Sequence, residues 1–213
     1  MRTPDVDLLL TRASAWLTED PDPSTVAELT TLIGAVEDGD PAARLELADR
    51  FHGTLAFGTA GLRGALGAGP NRMNRVVVIR AAAGLADYLR RGGVARDTPV
   101  VIGYDARHHS DVFARDTAEV MAGAGLRPLL LPRALPTPVL AFAIRELGCA
   151  AGVMVTASHN PPQDNGYKVY LGDGSQIASP VDAAIAARIS AVGSLDSVPR
   201  VEVESVGGRV LEE

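Results

Sequence analysis

Residues 149–171 read CAAGVMVTASHNPPQDNGYKVYL. The run CAAGVMV is apolar and short. Bounded by polar residues, it has the pattern of a strand buried on both faces of a sheet. Thr156 to Asn160 then forms a polar cluster. Two prolines and Asn165-Gly166 punctuate the chain as a turn, and GYKVYL returns as a second strand. A buried strand that ends in a polar loop is the signature of an α/β sheet. In such sheets ligands bind beyond the carboxyl ends of the strands.

Outward from this stretch, strands and helices alternate. PVVIGYD (99–105) reads as another buried strand. Ser110 to Ala124 reads as a helix with Ser110 as N-cap and Phe113, Thr117, Val120 and Ala124 on one face. LRPLLLP (126–132) is a strand broken by proline, hence short or near an edge. Thr137 to Leu147 and Pro180 to Val192 read as helices, the latter aligning Val181, Ile185, Ile189 and Val192. Upstream, LAFGTAGLRGALGAGPNRMN (55–74) holds five glycines and reads as a strand with turns. A helix from about Arg75 to Arg91 follows, with Val78, Ala82, Leu85 and Leu89 on one face. The expected fold is a three-layer α/β/α domain with a mixed, mostly parallel sheet. NGYKVYLGDGSQI (165–177) supplies its antiparallel pair.

The first 50 residues have helical spacing at Val26, Leu29, Leu32, Ile33 and Val36, with Thr25 and Glu28 as a capping box. A second helix is expected from Pro41 to about Arg50. The chain therefore divides into an N-terminal helical extension (1–50), the α/β domain (51–193) and a polar linker (194–213) with a strand at VEVES (201–205).

Composition narrows the classes of function. Hydrophobic residues make up 46%, charged residues 22% and aromatics 4% of 213 residues, so the core is aliphatic. A net charge of −6 argues against a nucleic-acid partner. The single cysteine, Cys149, allows no internal disulfide and points to a reducing compartment. The N-terminus has only three consecutive leucines flanked by acids, which is no signal peptide. No apolar run reaches the roughly 20 residues a membrane span needs. A cytoplasmic protein is expected.

Three polar clusters fall at strand ends: Asp105 with Arg107; Thr156, Ser158, His159 and Asn160; and Arg63 between Gly61 and Gly64. A hydrolase reading of Ser158 lacks the G-x-S-x-G elbow, and adjacent Ser158 and His159 point apart in an extended chain. Ser158 either lies in a turn before Pro161 or carries a phosphoryl group. The group would bring a charge of about −1.5 to −2, for which Lys168, Arg63 and Arg107 are the candidate cations. Lys168 is a surface residue or, if it faces the cleft, a proton carrier. Arg63 fits neither a P-loop nor G-x-G-x-x-G. His108 and His109 are adjacent and make poor metal co-ligands, so they read as loop surface.

These segments resemble the first domain of the α-D-phosphohexomutase family, which includes phosphoglucomutase and phosphomannomutase. FGTAGLRG (57–64), NRMN (71–74), GYDARHHS (103–110), TASHNPPQDNGYKVY (156–170) and GSQI (174–177) occur in the family's order over roughly 57–192. FGTAGLRG with NRMN is most similar to the phosphoglucomutase-2-like branch. The resemblance implies that Ser158 carries a phosphoryl group and gives it to a hexose monophosphate, glucose or mannose 1- or 6-phosphate. A hexose 1,6-bisphosphate is the implied intermediate. It implies Lys168 as general acid/base and Arg63 beside the transferred phosphate. Thr156, His159, Asn160, Asp105 and Arg107 shape or support the loop. It also implies a Mg2+ bound to Ser158 through its phosphate.

The family has four domains, with an Asp-rich metal loop, typically D-G-D-x-D-R, in the second; that pattern does not occur in this sequence. The chain is therefore expected to hold the phosphoserine site without domains II–IV and to be inactive alone. The alternatives are a non-catalytic phosphate- or partner-binding domain or, within the family, a phosphopentomutase or a glucose-1,6-bisphosphate synthase.

Overall fold

A computed structural model describes residues 5–211. Three helices come first: α1 (Val6–Glu19), α2 (Pro23–Glu37) and α3 (Pro41–Arg50). Each opens on an aspartate whose carboxylate accepts from the first-turn N–H groups: Asp5, Asp22 and Asp40. The capping box expected at Thr25 and Glu28 does not form. Pro23 starts α2 with Asp22 as cap, which leaves Thr25 inside the first turn, donating to Asp20 Oδ2 at 2.7 Å. Glu28 instead reaches out of the helix. It pairs with Arg50 at 2.7 Å and accepts from the Ala68 N–H at 3.0 Å, tying the extension to the glycine-rich segment.

Then come β1 (Leu62–Ala65), α4 (Arg75–Arg91), β2 (Pro99–Tyr104), α5 (Ser110–Gly123), β3 (Arg127–Leu130), α6 (Thr137–Glu146), β4 (Ala151–Val155), β5 (Asp164–Leu171) and α7 (Val181–Ser190). A two-residue strand, β6 (Arg209–Val210), completes a six-stranded sheet ordered β1-β5-β4-β2-β3-β6. β5 pairs antiparallel with both β1 and β4, and all other pairings are parallel. The fold is the expected α/β/α sandwich. Alternation sorts the core: Val100, Ile102, Val153, Val155 and Val169 pack with α4, α5 and α7. Val101, Met154 and Tyr170 lie on the other face under α6.

Four local expectations are corrected. Asn165-Gly166 is no turn but lies inside β5; the reversal occurs just before, where the Asp164 N–H donates to the Pro161 carbonyl at 3.0 Å. Gly166 is required by crowding, because a Cβ there would lie 2.7 Å from the Thr156 oxygen and 2.9 Å from the Leu62 oxygen. The N-cap of α5 is His109, in a left-handed conformation at φ 62°, and Ser110 is the first helical residue. VEVES forms a 3₁₀ turn (Val203–Val206) instead of a strand. Residues 194–211, expected as a linker, lie on the domain, burying Leu195, Val198 and Val203 and adding β6 beside β3.

Candidate active site

The polar loops after β2 and β4 meet beyond the strand ends. Ser158 is exposed and sits at φ 55°, a left-handed backbone that a non-glycine residue adopts only where its surroundings hold it. Thr156 begins that hold: its Oγ1 accepts from the Ser158 N–H at 3.1 Å and donates to Asp105 Oδ2 at 2.6 Å. The other oxygen of Asp105 accepts from Ser110 Oγ at 2.8 Å and from the Arg107 N–H at 3.0 Å. Asp105 is thus a hub joining the two loops.

Arg107 completes the hold. Nη2 donates to the carbonyls of Ser158 at 2.8 Å and Asn160 at 2.9 Å. Nη1 donates to those of Pro161 at 2.8 Å and Asp164 at 3.1 Å. A planar guanidinium suits this task, because its donors leave in fixed directions. The sequence left Arg107 open as either a phosphate-facing cation or loop support. Its four carbonyl bonds make it a clamp. Asn160 adds a side-chain bond to Asp164 at 2.8 Å, while His159 is exposed on the loop.

Lys168 is on β5, opposite Met154, on the sheet face that carries Met154 and Tyr170. Its Nζ donates to Ser158 Oγ at 2.5 Å. Arg63 pairs in register with Gly166, two residues from Lys168 along the strand, so both side chains leave the same face. Burial lowers the pKa of the Lys168 ammonium below its ordinary value. The Arg63 charge pushes the same way, and Asp105 opposes it. Across this short contact an amine whose pKa is lowered, first by burial, can exchange a proton with the serine.

All the expected site residues therefore meet at one place. Gly61 helps close it: at φ 75°, its backbone lies so near β5 that a Cβ would sit 1.8 Å from the Tyr167 oxygen and 3.2 Å from Lys168 Cα. One site residue and one pattern of residue usage escaped the sequence reading. Asn165 is buried at the junction of the two loops. The other omission concerns Lys168, the only lysine among 20 Lys and Arg residues. A chain that otherwise uses arginine for every basic position keeps one titratable amine, and that usage was visible in the sequence.

The Mg2+ implied by the resemblance finds no ligand set here. Among the described residues no three His, Cys, Asp or Glu side chains cluster to hold a metal. Asp105, the hub carboxylate, is engaged by Thr156, Ser110 and Arg107. These residues do not by themselves fit the ion. Among them, too, no helix is long and apolar enough to cross a membrane.

Known proteins share this arrangement of segments. A "Probable phosphomannomutase" of Haemophilus influenzae is 62% identical over 133 residues, covering 60% of this chain and 27% of that protein. A "Probable phosphoribomutase" of Schizosaccharomyces pombe is 45% identical over 175 residues, covering 82% of this chain and 29% of that protein. A solved Thermus thermophilus protein, provisionally named a phosphomannomutase, aligns with a TM-score of 0.62 at 35% identity. The match covers 70% of this chain and 32% of that one. The chain thus spans about a third or less of the length of these relatives. The family profile described as phosphoglucomutase/phosphomannomutase, alpha/beta/alpha domain I, matches residues 54–195. With most of its length inside that profile, the chain belongs to the phosphoglucomutase/phosphomannomutase family.

Proposed function

We propose that this chain is the phosphoserine-bearing part of a sugar-phosphate mutase of the cytoplasm, one that interconverts hexose 1- and 6-phosphates through a hexose 1,6-bisphosphate. In this reading residues 1–50 are an extension and 51–193 the phosphoserine domain, with 194–211 packed against it. The observation that carries it is the 2.5 Å contact between Lys168 Nζ and Ser158 Oγ.

Catalysis of phosphoryl transfer is mostly positioning and charge stabilisation. When Oγ attacks phosphorus, its proton passes to neutral Lys168. When the phosphoryl group leaves, the ammonium returns that proton to Oγ. The depressed pKa of Lys168 supports this exchange, because it brings the neutral amine within closer reach of working pH. Arg63 faces the phosphoryl oxygens. Asp105, Thr156, Arg107, Asn160 and His159 hold or shape the loop that presents Ser158. No step is assigned to Mg2+, whose ligands would have to come from beyond these residues.

Relatives are named phosphomannomutase, phosphoribomutase and phosphopentomutase, which supports a sugar phosphate as substrate and keeps a pentose phosphate as the alternative to a hexose phosphate. The sugar is selected outside the loops described here. Intact-mass measurement after incubation with glucose 1,6-bisphosphate tests the reading: one added phosphate, lost in Ser158→Ala, is expected. A phosphate retained by Ser158→Ala would move the carrier elsewhere and sink it. In a coupled mutase assay the 213-residue chain alone is expected to show no turnover.

A further inference from the structure

Asn165 is fully buried beside the site. A buried amide is costly unless its groups are bonded. Its Nδ2 donates to the His108 carbonyl at 2.9 Å and to Ser110 Oγ at 3.0 Å, and its Oδ1 accepts from the Gly166 N–H at 2.7 Å. The directions of the neighbouring bonds are then set. Ser110 has one hydroxyl proton and gives it to Asp105, so it accepts from Asn165. Thr156 gives its proton to the other Asp105 oxygen, so it accepts from the Ser158 N–H. An unbroken chain of bonds therefore runs from β5, through Asn165, Ser110, Asp105 and Thr156, to the backbone of Ser158. It converges on a carboxylate that accepts from both sides.

β5 also carries Lys168, three residues beyond Asn165. The two partners of the 2.5 Å contact are thus joined twice: directly, and through this network. We infer that Asn165 is a positioning residue, locking the strand of Lys168 to the Asp105 loop and so fixing the separation of Lys168 and Ser158. The inference rests on the reading of that pair as the reacting centre, but it can be measured without any reaction.

Lys168 is the only lysine, so 13C-lysine labelling of the 213-residue chain gives one lysine side-chain signal for nuclear magnetic resonance. Asn165→Leu removes both donors without adding charge. Its Lys168 titration midpoint is expected to rise toward the ordinary lysine value of 10.5, as the loop withdraws and water relieves the burial that lowers it. Val169→Ala, a core truncation on the same strand, is expected to lower the melting temperature without moving that midpoint. Ser110→Ala cuts the same chain at its next link and serves if Asn165→Leu does not fold. Its midpoint should rise as well. Midpoints within about 0.1 pH unit of wild type in the folded variants, or an equal rise in Val169→Ala, would overturn the inference. Intact mass on the same samples scores Ser158 separately. A wild-type chain that takes no phosphate, with an Asn165→Leu midpoint that still rises, sinks the phosphoryl reading and keeps the positioning role.

Discussion

Arg107 and Ser158 are joined backward from the usual sense of an arginine at a phosphate site. The guanidinium donates to the carbonyl oxygen of Ser158 at 2.8 Å, on the backbone side of the residue, and not to its hydroxyl. The same group holds Asn160, Pro161 and Asp164 by their carbonyls. Lysine keeps the charge but has no planar fork. Arg107→Lys is therefore expected to lose about 2 kcal/mol of stability and to free the 158–164 loop. Backbone amide exchange in that loop should accelerate while exchange in β2 and β4 stays slow. Unchanged protection of 158–164 would show that the clamp is dispensable.

Gly61 and Tyr167 make the second test. A methyl group at Gly61 would meet a backbone oxygen at 1.8 Å, which no rotamer can relieve, and φ 75° disfavours any side chain. Gly61→Ala is expected to cost about 2 kcal/mol or more and to push the Arg63 segment away from β5. With Arg63 displaced, the lysine signal should titrate at higher pH than in wild type. A crystal structure of the variant with the β1–β5 register intact would refute this.

Much of the architecture was legible because burial on both faces leaves continuous apolar runs, as in PVVIGY and AGVMV. The antiparallel return of β5 was legible too, since the reversal needs a polar, proline-marked loop. The failures have physical causes. Asn-Gly is a strong turn signal, but at 165–166 the asparagine is spent on a buried bridge and the glycine on a close backbone approach. Ser110 has a capping side chain, but its backbone is already helical and its Oγ is turned to Asn165, from which it accepts, and to Asp105, to which it donates. Tail residues 194–211 look polar because the apolar side chains they bury, Leu195, Val198 and Val203, are spread singly among exposed residues. The site residues could be collected from motifs. That Lys168 shares a face with Arg63 depends on strand register, which no local pattern fixes.

Asp116 offers a stability test away from Ser158. It is 1% exposed, and Arg75 meets it through two bonds, 2.8 Å from Nε and 2.7 Å from Nη2. This pair ties the start of α4 to α5, and the hydrogen bond to Asp116 raises the pKa of Arg75. Removing one partner of a buried pair leaves the other charge uncompensated. Asp116→Ala is expected to lose about 3 kcal/mol, read by urea denaturation, while Asp116→Asn loses less. An Asp116→Ala midpoint equal to wild type would mean that Asp22, Glu119 and solvent already compensate the Arg75 charge.

Lys168 sets function against stability. Burial, then the charge of Arg63, lowers its pKa below the ordinary 10.5 despite its hydrogen bond to Ser158. The unfolded chain therefore keeps this proton to higher pH than the folded one. Between the two pKa values the unfolded state binds more protons, so stability rises with pH through that window. Below it, the full cost of the buried ammonium is present. Lys168→Met removes the group. The variant is expected to melt above wild type at pH 7, with the gap closing as pH rises through the folded pKa of Lys168 toward 10.5. Phosphoryl acceptance by Ser158 should meanwhile fall by roughly 10²- to 10⁴-fold, the usual loss when a positioned proton acceptor is removed. A lower melting temperature at pH 7, or a gap that widens with pH, would show that the amine is held without strain. Lys168 would then be a structural contact of Ser158 and not its proton carrier.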